Sequence, residues 1–259
     1  MNHLQDTSEN DLVMTFNPEG QSPVVVVCEH ASCFIPPEYD NLGLATDALQ
    51  SHAAWDPGAL AVATGLATHL DATLVASGVS RLVYDCNRPP NAPDAMPKKS
   101  EVFDVPGNTG LTPAQRDDRT GRFYEPFRQT LSDVITTTQT PIIVTMHSFT
   151  PVYLGKVRSV EIGILHDTDT ILADVLLQTA SSHTTANVQR NEPYGPEHGV
   201  THTLKEHAIE AGHLNVMLEI RNDMIVSQQQ QDAMAKTLAN WLVDAMDRLQ
   251  TEGVAQCQA

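Results

Sequence analysis

Apolar residues gather along this chain in short dense runs, separated by longer stretches in which they recur every third or fourth position. The runs at 24–28, 72–76, 141–146, 159–165 and 214–220 have the length of strands. Several are continuous rather than alternating, as expected where both faces of a sheet are covered. Leu60, Ala63, Ala67 and Leu70 fall at helical spacing. So do Phe123, Phe127, Leu131 and Val134, with Pro126 set to kink or restart that helix. Thr112-Pro113-Ala114-Gln115 reads as a capping box with proline at the first helical position. Met234, Leu238, Trp241, Leu242, Ala245 and Leu249 predict a final amphipathic helix. Strands alternating with helices predict an α/β fold, a three-layer α/β/α sandwich around a mixed, largely parallel central sheet. Residues 1–20 read as a flexible N-terminal segment, 21–250 as a single domain and 251–259 as a frayed tail. Between Asn87 and Thr112 the chain is rich in Pro, Gly and Asn. A connection this long is expected to be a functional or lid loop.

Open α/β sheets collect ligands at the carboxyl ends of their strands. Two of the apolar runs end in histidine: VVVVCEH delivers His30, and IIVTMH delivers His147. Asn87, Arg88, Glu161, Glu219 and Arg221 fall at or just after strand ends as well. Two imidazoles and a carboxylate make an ordinary catalytic zinc shell, with one position left for water. The HExxH helix signature is absent, so ligands would come from separate segments. For the third ligand, spacing leaves Glu29, Cys33 and Asp56 open. Glu219 lies among Val216, Met217, Leu218 and Ile220. A carboxylate desolvated there would have its pKa raised toward the range of a useful general base. Its plainer reading is an edge residue facing water. His52, His69, His183, His198, His202, His207 and His213 lie in helix-like or loop segments and read as structural or solvated.

Charge narrows the partners. The 259 residues include 32 acidic and 15 basic side chains, for a formal net charge of −17. That surface repels polyanions, so nucleic acid is not an expected partner. No apolar run approaches the roughly 18–20 residues of a membrane span. MNHLQDTSENDL lacks the basic start and apolar stretch of a signal peptide. Cys28, Cys33, Cys86 and Cys257 show no disulfide-framework spacing. A reduced, cytoplasmic protein is expected.

Seven segments together resemble a known family: VVVVCEHASCFIP, HAAWDPGALAVATGLA, SRLVYDCNRP, TMHSFTP, RSVEIGILHD, NEPY and HLNVMLEIRND. Their order and spacing over residues 23–245 are similar to the N-formylglutamate amidohydrolase family. That family is related in fold to the zinc carboxypeptidases and to the aspartoacylase and succinylglutamate desuccinylase enzymes. The resemblance therefore implies a phosphorylase/hydrolase-like fold and one divalent metal per chain, usually zinc. It also implies a small anionic N-acyl amino acid as substrate. His30 and His147 would be metal ligands. The carboxypeptidase HxxE motif fails at Cys33, so the resemblance points to Asp56 as the third ligand, with Glu29 as the alternative. Asn87 and Arg88 resemble the pair that grips a substrate carboxylate. Glu219 resembles the catalytic glutamate. Arg158 and Arg221 are secondary anion contacts, with Arg81 a further cation for a second carboxylate, and Tyr194 closes over the substrate. Two rival readings stand beside this one. A non-catalytic relative could bind a small carboxylate, or a cysteine hydrolase could use Cys28, Cys33 or Cys86.

Overall fold

A computed structural model describes residues 12–256. Its described strands, in chain order, are β1 (Val13–Phe16), β2 (Val24–Cys28), β3 (Thr73–Ser77), β4 (Lys99–Ser100), β5 (Phe103–Asp104), β6 (Ile142–Phe149), β7 (Val152–Tyr153), β8 (Lys156–Val157), β9 (Ile162–Leu165), β10 (Val188–Arg190) and β11 (Asn215–Arg221). The helices are α1 (Thr46–Gln50), α2 (Ala59–Leu70), α3 (Pro113–Arg119), α4 (Glu125–Thr137), α5 (Ile171–His183), α6 (His202–Leu204) and α7 (Gln228–Gln256). Seven strands form the central sheet in the order β1-β3-β2-β6-β11-β9-β10. The inner strands β3, β2, β6 and β11 are mutually parallel. β1 and β9 run antiparallel to their inner neighbours, which makes the sheet mixed. β4–β5 and β7–β8 are separate hairpins.

The continuous apolar runs are explained by what covers them. Side chains alternate between the two faces of a strand. Val24, Val26 and Cys28 join Val144, Met146, Val216 and Leu218 beneath α2, α5 and α7. Val25 and Val27 join Val75, Ile143 and Met217 on the opposite face, against Leu82, Tyr84, Phe127 and Leu131. Helices therefore cover both faces, giving the three layers. α7 packs through Leu238, Trp241, Leu242 and Ala245. The Trp241 indole donates to Leu176 O at 3.0 Å and to Thr179 Oγ1 at 2.9 Å, so its polar edge stays satisfied in the core. The capping box forms, with Gln115 N donating to Thr112 Oγ1 and Thr112 N to Gln115 Oε1. A π turn over Thr120–Tyr124 precedes α4, and Pro126 sits in the first turn after it.

The ends of the chain need correction. Residues 13–16 belong to the predicted flexible segment 1–20, yet they form β1 along β3. Within the strand Val13 packs on one core cluster and Met14 and Phe16 on the other, the alternation of an edge strand; Leu12, just before it, departs from that alternation and joins Val13. Residues 1–11 lie outside the described residues. α7 continues to Gln256, into the segment expected to fray, and 257–259 lie outside the described residues. The long loop is also less free than expected. Ala95, Met96 and Val105 are buried, and Asn108 Nδ2 donates to Leu82 O and Pro97 O. Arg119 in turn donates to Asn108 Oδ1 at 2.6 Å. The loop is therefore pinned to the domain at several points.

Candidate metal and catalytic site

The parallel strands β3, β2, β6 and β11 present their carboxyl ends at one edge of the sheet. β2 ends at Cys28, and the turn after it carries Glu29 and His30. His147 is within β6, in register with Glu219 on β11. Asp56 lies just before α2, and its N–H donates to His30 O at 2.9 Å. That bond brings a helix-flanking residue back to the strand edge. The loop after β3 supplies Arg81, Asp85, Asn87 and Arg88.

His30 Nδ1, His147 Nδ1 and Asp56 Oδ2 converge. Asp56 Oδ2 is 3.3 Å from His30 Nδ1 and 2.9 Å from His147 Nδ1, and the two nitrogens are 3.2 Å apart. All three residues are buried, and this group can hold a metal ion. Donors at roughly 2.0–2.1 Å around a tetrahedral ion lie about 3.3 Å from each other, which the triangle approaches. Two imidazole nitrogens and a carboxylate oxygen are suitable donors for a zinc-like ion. The donor set fits.

Behind each histidine stands a second carboxylate. His30 Nε2 meets Asp85 Oδ1 at 2.7 Å, and His147 Nε2 lies 3.1 Å from Glu29 Oε2. The Asp85 contact is a hydrogen bond, and a carboxylate on the far nitrogen fixes the ring and its tautomer, so that the near nitrogen is left for an ion. Glu29 approaches His147 as a charged neighbour without hydrogen-bond geometry. Glu29 thus lies on the far side of His147 and outside the converging group. Cys33 lies outside it as well. Asp85 was missed by sequence reasoning. Its signal was an acidic residue inside the otherwise apolar LVYDC, between Arg81 and the Asn87-Arg88 pair.

The titration behaviour divides the buried carboxylates. Burial alone would raise all of them. For Asp56 the charges of His30 and His147 overcome burial, and its carboxyl is held far below the usual range. His30, Arg81 and Arg88 do the same for Asp85, and His147 does it for Glu29. Glu219 is the exception. Burial dominates and pushes it up to about 7. Its Oε2 has no hydrogen-bond partner. His147 is the counterpart: burial opposes its charge, yet Glu29 and Asp56 raise its pKa well above the ordinary imidazole value.

These groups face a cavity of about 350 Å³. His30, Asp56, Asn87, Arg88, His147, Tyr194 and Glu219 all line it. Asn87 is tied down rather than free: Nδ2 donates to Val200 O at 2.6 Å, and Oδ1 accepts from Thr203 N at 3.0 Å. Arg88 Nε donates to Asp94 at 2.7 Å, and Nη1 to the carbonyls of Asn87 and Gly199. Only Nη2 is left without a protein partner among the described residues. Arg158 sits behind the wall, donating to Tyr194 Oη at 2.9 Å and stacked on Phe149, Tyr153 and Tyr194. Arg221 is not brought to the cavity. Asp223 and Glu161 claim its guanidinium at 2.8 and 3.2 Å, and Nη1 donates to Arg158 O. It is an ion-paired brace for the Arg158 segment rather than a free cation. Glu161 meets it because β9 runs antiparallel to β11, placing the start of one strand beside the end of the other.

The thiols offer little for a cysteine hydrolase. Burial pushes Cys28 and Cys86 well up from the ordinary thiol value, and neighbouring carboxylates add to the effect. Cys33 is half-buried outside the cavity.

The chain is similar to known proteins in sequence and in fold. The family model for N-formylglutamate amidohydrolase matches residues 22–226. The fold is similar to the crystal structure of a gene product from Agrobacterium tumefaciens, at 51% identity and a TM-score of 0.91, covering 93% of this chain and 97% of that one. It is also similar to the crystal structure of N-formylglutamate amidohydrolase from Ralstonia eutropha JMP134. There the TM-score is 0.68 at 16% identity, over 91% of this chain and 98% of that one, a likeness of fold alone. No curated protein gave a significant match.

Proposed function

The chain belongs to the N-formylglutamate amidohydrolase family, and from that premise we propose that it is a metal-dependent enzyme hydrolysing the N-acyl amide of a small anionic amino acid. The substrate is N-formyl-L-glutamate, going to L-glutamate and formate, or a close analogue. The observation that carries this reading is the convergence of His30, Asp56 and His147 within one cavity, with the unpaired Glu219 in register beside His147.

A divalent ion held by His30, Asp56 and His147, zinc by donor type with manganese, iron or cobalt as substitutes, would polarise the amide carbonyl and acidify a water molecule. Glu219 takes the proton from the attacking water and passes it to the leaving amine. A carboxyl group whose pKa is near 7 can do both at neutral pH. Arg88 takes the α-carboxylate through Nη2, a single charge-assisted contact rather than the full guanidinium fork; the engagement of Nε and Nη1 by the protein supports this. Arg158 acts through Tyr194, holding its ring at the cavity wall. No helix of the described residues is long and apolar enough to cross a membrane. The reaction itself, release of a free amino acid from its N-acyl form, is what suggests a role in amino-acid breakdown.

The test is elemental mass spectrometry of the purified protein, beside formate release from N-formyl-L-glutamate with and without chelator. About one metal per chain and chelator-sensitive release would support the proposal. One metal without release would keep the site and discard the substrate. Neither metal nor activity after zinc addition would favour the non-catalytic carboxylate binder.

A further inference from the structure

Three cations line the cavity: Arg81, Arg88 and Lys99. Two of them are already matched with carboxylates. Arg81 reaches Asp56 Oδ1 and Asp85 Oδ2 at 3.3 Å each, and Arg88 is paired with Asp94 at 2.7 Å. Lys99 forms no ion pair among the described residues. Asp104 lies opposite it across the β4–β5 hairpin but makes no ion pair with it.

The hairpin carrying Lys99 is anchored. Ser100 Oγ donates to Ala53 O at 3.1 Å, and His52 Nε2 lies 2.6 Å from Glu101 Oε1. Both anchors fall in the stretch His52-Ala53 that leads directly to Asp56. The base of the lysine stem is thus held in fixed relation to the candidate metal ligands, while the stem itself is flexible. Lys99, Ser100 and Glu101 all face the cavity, and the Glu101 carboxylate is engaged by His52.

We propose that Lys99 is the specificity-determining cation of this cavity. It holds a second, side-chain carboxylate on the N-acyl amino acid, while Arg88 holds the α-carboxylate. The assignment rests on the amidohydrolase reading above and deepens it. A substrate with two negative charges meets a chain whose net charge is −17. The general surface repels it, so discrimination falls to the one lysine or arginine of the cavity that, among the described residues, no carboxylate has claimed. An ammonium on a four-carbon stem suits this task, because it can follow a carboxylate at the end of a flexible side chain.

The test compares N-formyl-L-glutamate with N-formyl-L-glutamine, its near-isosteric neutral counterpart, in the metal-loaded wild type and in Lys99→Met and Lys99→Arg. Lys99→Met is expected to lower the glutamate-to-glutamine ratio of kcat/KM by roughly 10- to 100-fold, the range of a hydrogen bond to a charged group. The loss should appear in KM for the acidic substrate, with kcat nearly unchanged. Lys99→Arg should keep most of the preference. An unchanged ratio in Lys99→Met would overturn the assignment, and so would an equal loss on both substrates, which would mark a structural role for the hairpin. A wild type that cleaves neither amide would remove the amidohydrolase reading and this assignment together, a pattern distinct from either of those.

Discussion

Followed along their length, β2, β6 and β11 are two kinds of structure in one. Their first residues, Val24–Val27, Ile142–Val144 and Val216–Leu218, are hydrocarbon packed between helices. A few residues on, the same chain segments deliver Glu29, His30, His147 and Glu219, none more than 5% exposed. Burying a valine stabilises the fold by roughly 1.5–3 kcal/mol, whereas burying an unpaired charge costs far more. The carboxyl-end cluster meets that cost by pairing: Glu29 with His147, and Asp85 with His30 and Arg81. Asp56 lies between both histidines. Glu219 has no ion pair among the described residues, and its Oε2 has no hydrogen-bond partner there. The contrast teaches that Glu219 is set apart by the balance of charges around it: burial, reinforced by Asp56, outweighs the lowering by His147, His30 and Arg81.

If the two regimes are separable, substitutions should divide cleanly between them. Glu219→Gln should keep metal and fold yet lower turnover about 100- to 10,000-fold, the usual share of a general base. Activity within a few-fold of wild type would remove Glu219 from that role. In the apolar regime, Trp241→Ala should destabilise the protein by about 3–5 kcal/mol in denaturant unfolding. Below its unfolding transition it should bind metal as the wild type does. Loss of metal in the folded variant would show that the regimes are coupled. Asp85→Asn and Glu29→Gln should each weaken metal binding about 10- to 100-fold in a competition titration, because each orients a histidine rather than holding the ion. Unaltered affinity in both would mean that the rings are held by packing alone.

The smallest effect concerns pH. In the metal-free protein, Glu29 and Asp56 raise the His147 pKa, so His147 keeps its proton at neutral pH, and an incoming ion must displace it. Apparent metal affinity should therefore rise with pH, by at most about tenfold per unit for one displaced proton, until His147 deprotonates unaided. Calorimetry in buffers of different ionisation enthalpy would register the released proton. Affinity that is flat between mildly acidic and alkaline pH would contradict the charged state of His147.

Much of the fold was legible because its strands are buried on both sides, and continuous apolar runs announce that. β1 and β10 were not. β10 is a short, half-exposed edge strand with no apolar run, whereas β1 does carry one, Leu12-Val13-Met14-Thr15-Phe16, which was read together with the polar residues around it. In the site, the structure brings His30, His147 and Asp56 together; spacing had left Glu29, Cys33 and Asp56 open for the third place, and the resemblance pointed to Asp56. Asp85 escaped notice because its task is to hold another side chain, and a sequence does not show which imidazole a carboxylate will face. Arg221 looked like a substrate cation because one partner, Glu161, is brought to it only by the antiparallel pairing of β9 with β11, and the other, Asp223 two residues on, was not read as a partner. Lys99 was passed over inside a loop read only for its prolines and glycines.

The edge strand β1 has a practical consequence for anyone trimming this chain. Its sequence neighbourhood invites removal of the first twenty residues as a dispensable leader. That deletion would strip Val13–Phe16 from β3 and leave the backbone of Thr73–Ser77 unpaired along a sheet margin. An open margin of this kind templates pairing with other copies. The shortened protein should keep the candidate site in place while becoming prone to precipitate, so poor solubility of such a truncation would report on the sheet's border and not on that site.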